Sequence, residues 1–441
     1  MEAVQVAKGK RKCETMQQIK KTIEETCNAG LCTGCGTCVG LCPNSAIHMS
    51  EAEDIYIPIL NKKKCNQCGI CYEVCPGHSV NFRNLNLTIF GREQQDILMG
   101  NYVNCYMGHA TDLSIRYNSA SGGLTTALLI FAIRERIIDG ALVTKMSDTD
   151  PLKPEVFIAR TKDEIISASK SKYCPVPGNV ALKTILEEDG RFATVGLPCH
   201  IEGIRKAERI NKKLAKKVVL HLGLFCNHAP TFLAIEYLLQ KMNLKKDDVK
   251  KLDYRGEGWP GGISIELKNG RKKFIRQFDP FYWGHVFNMY FLTARCALCN
   301  DKTCELSDIS FGDAWHLSNS KIGESIIISR NKIGEELLQK AAIKKEIEIE
   351  RINGGKVLES QGLDSVKRWH MARIHVFKKL GRKVPTYNQR VLESKPLDYV
   401  KALMLYLQIY VSSNPILWNL ISIYPSFMSR FARAQNRSIA I

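Results

Sequence analysis

The sequence predicts an α+β protein in three parts: a small cysteine-rich domain, an α/β domain that makes up most of the chain, and a helical C-terminal tail. Three observations lead to this prediction. The spacing Cys-x2-Cys-x2-Cys-x3-Cys-Pro occurs twice near the N-terminus. Apolar strand-like segments alternate with helical patterns in the middle of the chain, and a long uncharged segment lies near its end.

The composition is that of an ordinary globular protein. The chain has 441 residues, of which 45% are hydrophobic and 24% are charged, which is enough for two or three domains. Eight of the 17 cysteines belong to the two repeated runs, and the N-terminal MEAVQVAKGKRK lacks the apolar core of a signal peptide. These features predict a reducing, cytoplasmic compartment.

The two cysteine runs, LCTGCGTCVGLCPNSAI (31–47) and KCNQCGICYEVCPGHSV (64–80), have the spacing of a chain that binds two [4Fe-4S] clusters. In such chains, three cysteines of one run and the Cys-Pro cysteine of the other run hold each cluster. Zinc knuckles rarely carry four cysteines per run, which argues against zinc. Residues 25–85 therefore resemble a bacterial-type ferredoxin. The predicted ligands are Cys32, Cys35, Cys38 and Cys75 for one cluster, and Cys65, Cys68, Cys71 and Cys42 for the other.

Two apolar segments farther along the chain end in the same way, with a cysteine followed by a helical pattern. RFATVGLPCH leads to Cys199, and KVVLHLGLFCNHAP leads to Cys226. Strand, helix and strand in succession predict parallel strands joined by right-handed crossovers, with their carboxyl ends on one edge of the sheet. Cys199 and Cys226 should then share the crevice in which such folds bind ligands.

A third cysteine group lies in ARCALCNDKTCELSDISFGDAW, on a predicted loop that leads into a strand. Its Cys-x2-Cys pair and the two strand-end thiols would suffice for a third cube, with Cys304 as a reserve ligand. From the spacing alone, a zinc site and ordinary buried cysteines remain alternatives. The predicted ligands are Cys199, Cys226, Cys296 and Cys299.

Six sequence blocks follow one another along the chain: SASGGLTTALL (119–129), SKSKYCPV (169–176), VGLPCHIEGIRK (195–206), GLFCNHAP (223–230), YRGEGWPGG (254–262) and CALCNDKTCELSDISFGD (296–313). Their succession resembles the beta-subunit family of coenzyme F-420 hydrogenases and dehydrogenases over about residues 95–340. The resemblance implies an α/β domain that binds FAD beside a third [4Fe-4S] cluster and exchanges a hydride with the deazaflavin F-420. A ferredoxin fused ahead of this domain is similar to the input subunit of F-420H2 dehydrogenases.

The resemblance also implies which residues contact the flavin. The SASGG block would let the backbone approach FAD at the start of an apolar helix, whose N-terminus favours an anion. An arginine just upstream would pair with phosphate. Without the family, turn glycines, a surface cation and core aromatics are the alternatives. The implied contacts are Arg116, Ser119, Ser121, Gly122, Gly123, Lys172, Tyr173, Arg255 and Trp259, and no catalytic residue is predicted.

Two places depart from the family pattern, and one motif is misleading. Cys174 and His200 replace the usual residues of their blocks, so we expect altered substrate contacts near both. The segment GEGWPG has the spacing Gly-x-Gly-x-x-Gly, but it precedes the strand-like ISIEL. A dinucleotide fingerprint must follow a strand and open a helix, so this segment does not predict a nicotinamide site.

The C-terminal tail is uncharged from Ala402 to Ser429 and is followed by Arg430, Arg433 and Arg437. Its length alone would suggest a membrane span, but SSNP divides it into two pieces of about a dozen residues. A two-helix element that lies on a membrane surface or docks on a partner fits better, and packing on the chain's own body is the alternative. More than half of the net charge of +19 lies in residues 367–441.

The predicted function is that of an iron-sulfur flavoprotein oxidoreductase. A flavin is needed because F-420 carries a hydride whereas each cluster carries one electron. A ferredoxin-linked reductase of another organic substrate and a non-catalytic electron relay are the alternatives. The partner would be a ferredoxin or a hydrogenase, dehydrogenase or reductase subunit, with peripheral contact at the inner face of a membrane. Nucleic acid is not a predicted partner, because no recognition motif accompanies the basic charge.

The sequence thus divides into four predicted parts. They are an N-terminal extension (1–24), a two-cluster ferredoxin-type domain (25–85), an FAD and [4Fe-4S] domain like the F-420 hydrogenase/dehydrogenase beta subunit (86–375), and a basic, amphipathic helical tail (376–441).

Overall fold

The computed structural model of the chain describes residues 21–52, 54–279, 282 and 289–421. The arginines at 430, 433 and 437 of the predicted tail lie outside these residues. Within the described ranges, no helix is both long and apolar enough to cross a membrane.

Strands and helices alternate along the chain. The strands are β1 (Ile47–Ala52), β2 (Ile55–Leu60), β3 (Ser79–Val80), β4 (Asn104–Ala110), β5 (Gly140–Met146), β6 (Pro154–Ala159), β7 (Phe192–Gly196), β8 (Val218–Leu224), β9 (Val249–Asp253), β10 (Gly262–Leu267), β11 (Lys272–Arg276), β12 (Ile309–Asp313), β13 (Ser325–Ser329), β14 (Ile347–Ile352) and β15 (Thr386–Tyr387). The helices are α1 (Ile23–Asn28), α2 (Thr37–Gly40), α3 (Ile70–Glu73), α4 (Phe82–Phe90), α5 (Leu113–Tyr117), α6 (Leu124–Arg134), α7 (Lys162–Ser167), α8 (Leu182–Glu187), α9 (Pro198–Ile210), α10 (Lys212–Lys217), α11 (Phe232–Lys241), α12 (Ala294–Ala297), α13 (Lys332–Ile343), α14 (Gly354–Gln361), α15 (Leu363–Lys379), α16 (Pro396–Ser412) and α17 (Trp418–Ile421).

A mixed sheet organises the large domain, with the strand order β14-β4-β13-β12-β8-β7-β5-β6. The four central strands β12, β8, β7 and β5 are parallel, and antiparallel strands flank them on both sides. The predicted strand–helix–strand unit is confirmed as β7, α9 and β8, in which Ala193 pairs with Leu220. The carboxyl ends of the four parallel strands therefore lie on one edge of the sheet.

Helices cover both faces of this sheet because its central strands are apolar on both sides. On β5, Ala141 and Val143 belong to a core with Phe131 of α6 and Leu338 of α13. Leu142, between them, belongs to the opposite core with α8 and α9. This is the alternation expected of a strand buried on two faces.

A smaller antiparallel sheet, in the order β11-β10-β9, packs against α11. Its central strand β10 confirms the strand predicted for ISIEL, and GEGWPG is the loop that precedes it. The indole of Trp418 packs edge-on against Tyr237, with ring centroids 5.5 Å apart, and also contacts Phe291. The end of the described chain therefore completes the core of this smaller sheet.

The cysteine-rich domain is fixed to the large domain by a tight seam between α2 and α9. A Cβ atom on Gly203 would lie 2.3 Å from Thr37 Oγ1, and one on Gly40 would lie 2.3 Å from the Asn179 carbonyl oxygen. The backbone N–H of Asn179 donates to Cys35 O at 2.8 Å, and its side-chain amide donates to Thr37 Oγ1 at 2.8 Å. Close packing and directional hydrogen bonds together hold the two domains in one arrangement.

The tail packs on the chain's own body as far as it is described. Helix α15 runs through the predicted boundary at 375/376, and α16 lies beside it with Phe377 edge-on to Tyr406 at 5.2 Å. Helix α16 ends at Ser412, within the SSNP segment, as the sequence predicts. The side chain of Trp418, which follows, is buried in the core. Residues 396–421 therefore correspond to the alternative in which the tail packs on the body, although one face of α16 stays exposed.

A buried ionic network joins α9, β8 and the segment before β12. His221 Nδ1 lies 3.0 Å from Asp308 Oδ2, and its Nε2 lies 2.7 Å from Glu208 Oε1. Arg205 pairs with both carboxylates. Burial and Arg205 lower the pKa of His221, but the carboxylates outweigh them and raise it above its ordinary value. Burial raises the pKa of Asp308, yet Arg205 and His221 outweigh it and hold that pKa far below its usual range.

Substitution of Asp308 by Asn should lower the free energy of unfolding by about 3–5 kcal/mol, because it leaves buried cations without their partner. The carboxylate contribution is present above the ordinary Asp pKa of about 4 and is lost as pH falls through the lowered pKa. The His221 contribution is present below about pH 6.5 and is lost as pH rises through the raised pKa. The loss should therefore be largest between about pH 4 and 6.5 in anaerobic urea unfolding. The exposed control Asp189→Asn should change stability by less than about 0.5 kcal/mol, and equal losses in both variants would contradict this account.

Candidate iron-sulfur and cofactor-binding site

The first cysteine run forms a loop that brings its predicted quartet together. Burial raises the pKa of Cys38 well above its ordinary value, and the nearby charges of Cys35, Cys75 and Cys32 raise it further. Cys75 thus lies with the three cysteines of the other run, as expected if each cluster takes its fourth ligand from the opposite run. Burial also raises the pKa of Cys75 to about 12, so the metal-free chain carries a thiol that must release its proton on binding iron.

The second quartet surrounds a small cavity near the surface. Cys42, Cys65, Cys68 and Cys71 all line it, together with Gly69 and other loop residues. These four are the ligands predicted for the second cluster. The loop of residues 61–67 beside the cavity is largely exposed, whereas Cys35 and Cys38 of the first quartet are buried. The two predicted cluster positions therefore differ in their access to solvent.

Backbone N–H groups point at the cysteine sulfurs in both runs. The N–H of Gly34 donates to Cys32 Sγ at 3.3 Å, and that of Gly77 donates to Cys75 Sγ at 3.3 Å. Equivalent bonds reach Cys42 and Cys65. Such donors stabilise the negative charge of thiolate ligands and tune cluster potentials, so these loops fit iron-sulfur clusters.

The third cysteine group gathers at the carboxyl ends of β7 and β8. Cys199 lies in the first turn of α9 after β7, and Cys226 follows β8. Cys296 lies in α12, and Cys299 comes just after it. Burial raises the pKa of Cys226 most, and the charges of Cys296 and Cys299 raise it further. Burial also raises the pKa of Cys199, and the charges of Cys35, Cys226 and Cys299 raise it further.

Cys304, the reserve ligand, is placed differently from this quartet. It is fully buried against the carboxyl ends of β7 and β8, where a Cβ on Gly223 would lie 2.6 Å from its sulfur. Its Sγ lies 4.0 Å from Gly196 O, so the thiol is oriented toward the backbone of β7. This packing favours Cys299 over Cys304 as the fourth predicted ligand.

The described cysteines are all free thiols, and the described residues contain no group of three His, Cys, Asp or Glu side chains close enough to hold a single metal ion. A cubic cluster places its four sulfurs around a volume rather than around one ion, so it needs a wider spacing of ligands.

Polar groups at the domain seam connect the first run to the third cysteine group. Arg295, directly before Cys296, is buried and donates from Nε to Gly77 O at 2.6 Å and from Nη2 to Pro76 O at 2.9 Å. Lys206 of α9 donates to Cys75 O. The charge of Cys35 reaches Cys199 strongly enough to raise its pKa, so the two cysteine groups are neighbours across the seam.

A cavity of about 590 Å³ lies beyond the carboxyl end of β5, between the large sheet and the smaller one. This volume is typical of sites for small molecules and cofactors. Most of its cationic side chains have carboxylate partners, including the Lys170–Asp253 pair at 2.9 Å and the Lys250–Glu266 pair at 2.6 Å. The cationic lining consists of Lys145, Lys170, Lys172, Lys250 and Lys251.

Lys172 differs from the other cavity lysines because its ammonium group has carbonyl partners. Its Nζ donates to the carbonyl oxygens of Ala168, Ser169 and Lys170 at 2.5, 2.6 and 3.0 Å. Among the described residues no salt bridge reaches it, and burial lowers its pKa to about 7. The three N–H donors of the Lys172 ammonium are therefore all used by backbone carbonyls, and burial disfavours its charge.

A second polar group, the Arg255 cluster, lies beside the cavity and comprises Ala120, Tyr173, Arg255, Trp259, Asp313 and Trp315. The Arg255 guanidinium donates to Asp313 Oδ2 and to Tyr173 OH, each at 3.1 Å, and also to Ala120 O. The ring centroids of Trp259 and Trp315 lie 5.1 Å apart. Arg255 Nε and Trp259 Nε1 are buried donors without a partner among the described residues, which leaves them available to a bound cofactor.

The predicted SASGG contacts lie next to this cluster, but their side chains already have partners. Arg116 donates to Gly323 O at 2.8 Å and pairs with Glu324, rather than facing an open phosphate site. Ser119 Oγ donates to Ile115 O, and Ser121 Oγ donates to Glu324 O.

The glycines of the same block also serve packing. A Cβ on Gly122 would lie 2.6 Å from Gly108 O of β4, so this residue lets α6 approach the sheet. Gly123 has φ of 76° at the N-cap of α6, a conformation that glycine adopts readily. The structure thus brings the predicted flavin contacts into one region, and their contact with flavin remains a prediction.

The two departures from the family pattern are internal contacts. The backbone N–H of Leu197 donates to His200 Nδ1 at 3.2 Å, and His200 Nε2 donates to Val176 O at 2.9 Å. Burial lowers the pKa of this imidazole, so it is neutral and ties the loop before α8 to α9. Cys174 is buried in the core of the smaller sheet.

Sequence reasoning missed the residues that connect these groups. Asn179 and Arg295 hold the seam, and Asp313 fixes the orientation of Arg255. Two signals were present: Arg295 adjoins a predicted ligand, and Asp313 ends the strand of the last family block. The cavity lysines come from three separate segments, and no motif in the sequence links them.

The duplicated cysteine runs and the third cysteine group define the chain as an iron-sulfur protein of the electron-transfer class. Residues 105–183 match the N-terminal part, and residues 189–354 the C-terminal part, of the coenzyme F-420 hydrogenase/dehydrogenase beta subunit. Residues 31–79 match a 4Fe-4S dicluster domain. The chain belongs to the coenzyme F-420 hydrogenase/dehydrogenase beta-subunit family, with a two-cluster domain at its N-terminus.

Relatives within this family carry several names. The chain is 29% identical over 232 residues to the beta subunit of coenzyme F-420 hydrogenase of Methanothermobacter thermautotrophicus, covering 50% of this chain and 77% of that protein. It is 24% identical over 304 residues to one of the subunits of the F-420H2 dehydrogenase of Methanosarcina mazei, covering 67% and 80%. It is also 26% identical over 310 residues to coenzyme F-420-dependent sulfite reductase of Methanocaldococcus jannaschii, covering 66% and 43%.

A solved structure shares the fold. A chain of the F-420-reducing [NiFe] hydrogenase complex from Methanosarcina barkeri, studied by xenon derivatization, superposes with a TM-score of 0.52 at 23% identity. The match covers 66% of this chain and 98% of that one.

The anaerobically purified chain should contain about twelve irons, four for each of three clusters. Cys296→Ser should lower the count to about eight, because it removes one ligand of the third group. The matched variant Cys304→Ser should keep about twelve irons, since the Cys304 sulfur is oriented toward the β7 backbone. A count of about eight in the unmodified chain, unchanged by Cys296→Ser, would remove the third cluster.

Proposed function

We propose that this chain exchanges a hydride between coenzyme F-420 and FAD and passes single electrons through three [4Fe-4S] clusters to or from a redox partner protein. Family membership supports an oxidoreductase role. The observation that carries the proposal is the common edge of the large sheet, where the lysine-lined cavity, the third cysteine group and the Arg255 cluster lie at the ends of neighbouring parallel strands.

Several residues could hold an anionic flavin cofactor and an anionic deazaflavin. The buried donors Arg255 Nε and Trp259 Nε1 lack partners within the described residues, and Lys172 lines the adjoining cavity. Bound FAD would supply the conversion between a two-electron hydride and single electrons. The chain's own part is to bind and orient these groups, and to exclude water through the packed aromatic rings of Trp259 and Trp315.

The arrangement of the cysteine groups supports an order for electron transfer. The third group adjoins the sheet edge and, across the seam at Asn179 and Arg295, the quartet that contains Cys35. The quartet that contains Cys65 lies beside the exposed loop of residues 61–67. We therefore assign the third group to the flavin side, the Cys35 quartet to the middle, and the Cys65 quartet to the exchange of electrons with the partner.

Acid precipitation of the anaerobic chain should release FAD into a yellow supernatant, because no attachment motif for covalent flavin is present. Addition of reduced F-420 to the intact protein should bleach the flavin and then the clusters. Arg255→Gln should weaken FAD binding about tenfold or more, since a charge-assisted contact contributes about 1.5–3 kcal/mol. The exposed control Arg276→Gln should bind FAD normally. A colourless supernatant from protein with full iron content would favour an electron relay without flavin.

Substitution of Cys65 by Ser should separate the internal and external steps of electron transfer. We expect about eight irons, normal bleaching of flavin by reduced F-420, and loss of electron delivery to an added ferredoxin. Electron paramagnetic resonance should show two reducible clusters. The buried control Cys105→Ser, outside every predicted ligand set, should retain all three clusters and full delivery. Undiminished electron delivery to ferredoxin by the Cys65→Ser variant would contradict the assignment of the Cys65 quartet to electron exchange with the partner.

A further inference from the structure

Helix α16 presents an apolar stripe to solvent on the face opposite its buried one. Its inner face carries Ala402 and Leu405, which are buried against the body near Phe377. The outer residues recur at intervals of three or four, which places them on one side of the helix. They are between 45% and 58% exposed. The α16 stripe consists of Leu397, Val400, Leu403, Leu407 and Tyr410.

Two further apolar side chains are exposed just after the end of the helix. Ile416 is 86% exposed, and Leu420 is 47% exposed. Single exposed apolar residues are common on soluble proteins, but so many within one short segment are unusual. Burial of such a surface is favourable, so this face is suited to an apolar environment.

Basic side chains border the stripe. Lys378, Lys379, Arg382 and Lys383 are exposed where α15 ends. The guanidinium carbon of Arg382 lies 6.0 Å from the ring centroid of Tyr406, which places this arginine beside the middle of α16. The acidic residues of 376–421 are Glu393 and Asp398, and Asp398 is buried in an ion pair with Arg368. The border of the stripe is therefore strongly positive.

We propose that the α16 stripe and its basic border bind the surface of a bilayer that contains anionic lipids. Seventeen helical residues span about 25 Å, and the helix would lie in the plane of the membrane with its apolar side chains among the lipid tails. The lysines and arginines would contact lipid phosphates. This arrangement needs no spanning helix, and it leaves the buried face of α16 packed on the body. The inference does not depend on the proposed substrate or cofactors.

Sedimentation of the full-length holoprotein with vesicles tests the proposal. We expect binding to phosphatidylglycerol–phosphatidylcholine vesicles, weaker binding to phosphatidylcholine alone, and release by salt. The double variant Leu403→Glu with Leu407→Glu should weaken binding by about tenfold or more, because both charges enter the lipid interface. The matched control Ile343→Glu removes an exposed apolar side chain from α13 and should bind normally. Iron content and the unfolding midpoint confirm that each variant is folded.

A second variant tests the basic border separately. Lys378→Glu with Lys379→Glu should reduce binding to the anionic vesicles while leaving binding to phosphatidylcholine unchanged. Absence of vesicle binding by the unmodified protein would overturn the proposal. So would self-association that Leu407→Glu abolishes, since the stripe would then be an interface between two copies. Binding that survives the stripe variants but is lost on truncation after Ile421 would also overturn it, by assigning the lipid contact to the last twenty residues.

Discussion

Because β5, β7, β8 and β12 run parallel, the chain leaves each of them at the same edge of the large sheet, and the arrangement of the candidate site follows from this constraint. The cavity begins where β5 ends, and Cys199 and Cys226 follow β7 and β8. Asp313, the last residue of β12, forms an ion pair with Arg255. Residues far apart in sequence therefore meet in one row. Of the flanking strands, β4 ends and β13 begins at this same edge, which brings the SASGG block beside Glu324.

The seam between the two domains depends on the same edge. Cys199 opens α9, and α9 is the helix against which α2 packs through Gly203. The helix that positions a predicted ligand of the third group therefore also positions the first quartet. Arg295 strengthens this arrangement, since its guanidinium contacts the loop after Cys75 while its neighbour Cys296 belongs to the third group. One helix and one arginine thus set the spacing of two cysteine groups.

The sequence was sufficient for features that depend on local pattern. The spacing of the duplicated runs predicted which cysteines lie near one another, and the apolar segments before Cys199 and Cys226 predicted the parallel pair. It was insufficient where the structure depends on contacts between distant segments. The partners of Arg116, for example, come from residues 320–324, so its role as an internal ion pair could not be derived from the SASGG block. The cavity lysines other than Lys172, and Asn179, were missed for the same reason. Likewise, the uncharged tail predicted helices but not which face of α16 would be buried.

The close approach at Gly40 and Gly203 has a kinetic consequence. A ferredoxin that diffuses must meet its donor before each electron moves, so that step slows as either protein is diluted. Here the two-cluster domain is held against the large domain by contacts that leave no room for even a methyl group. Under the proposed electron path, exchange across the seam would be a first-order process, independent of protein concentration, and dilution would slow only the final encounter with an external partner.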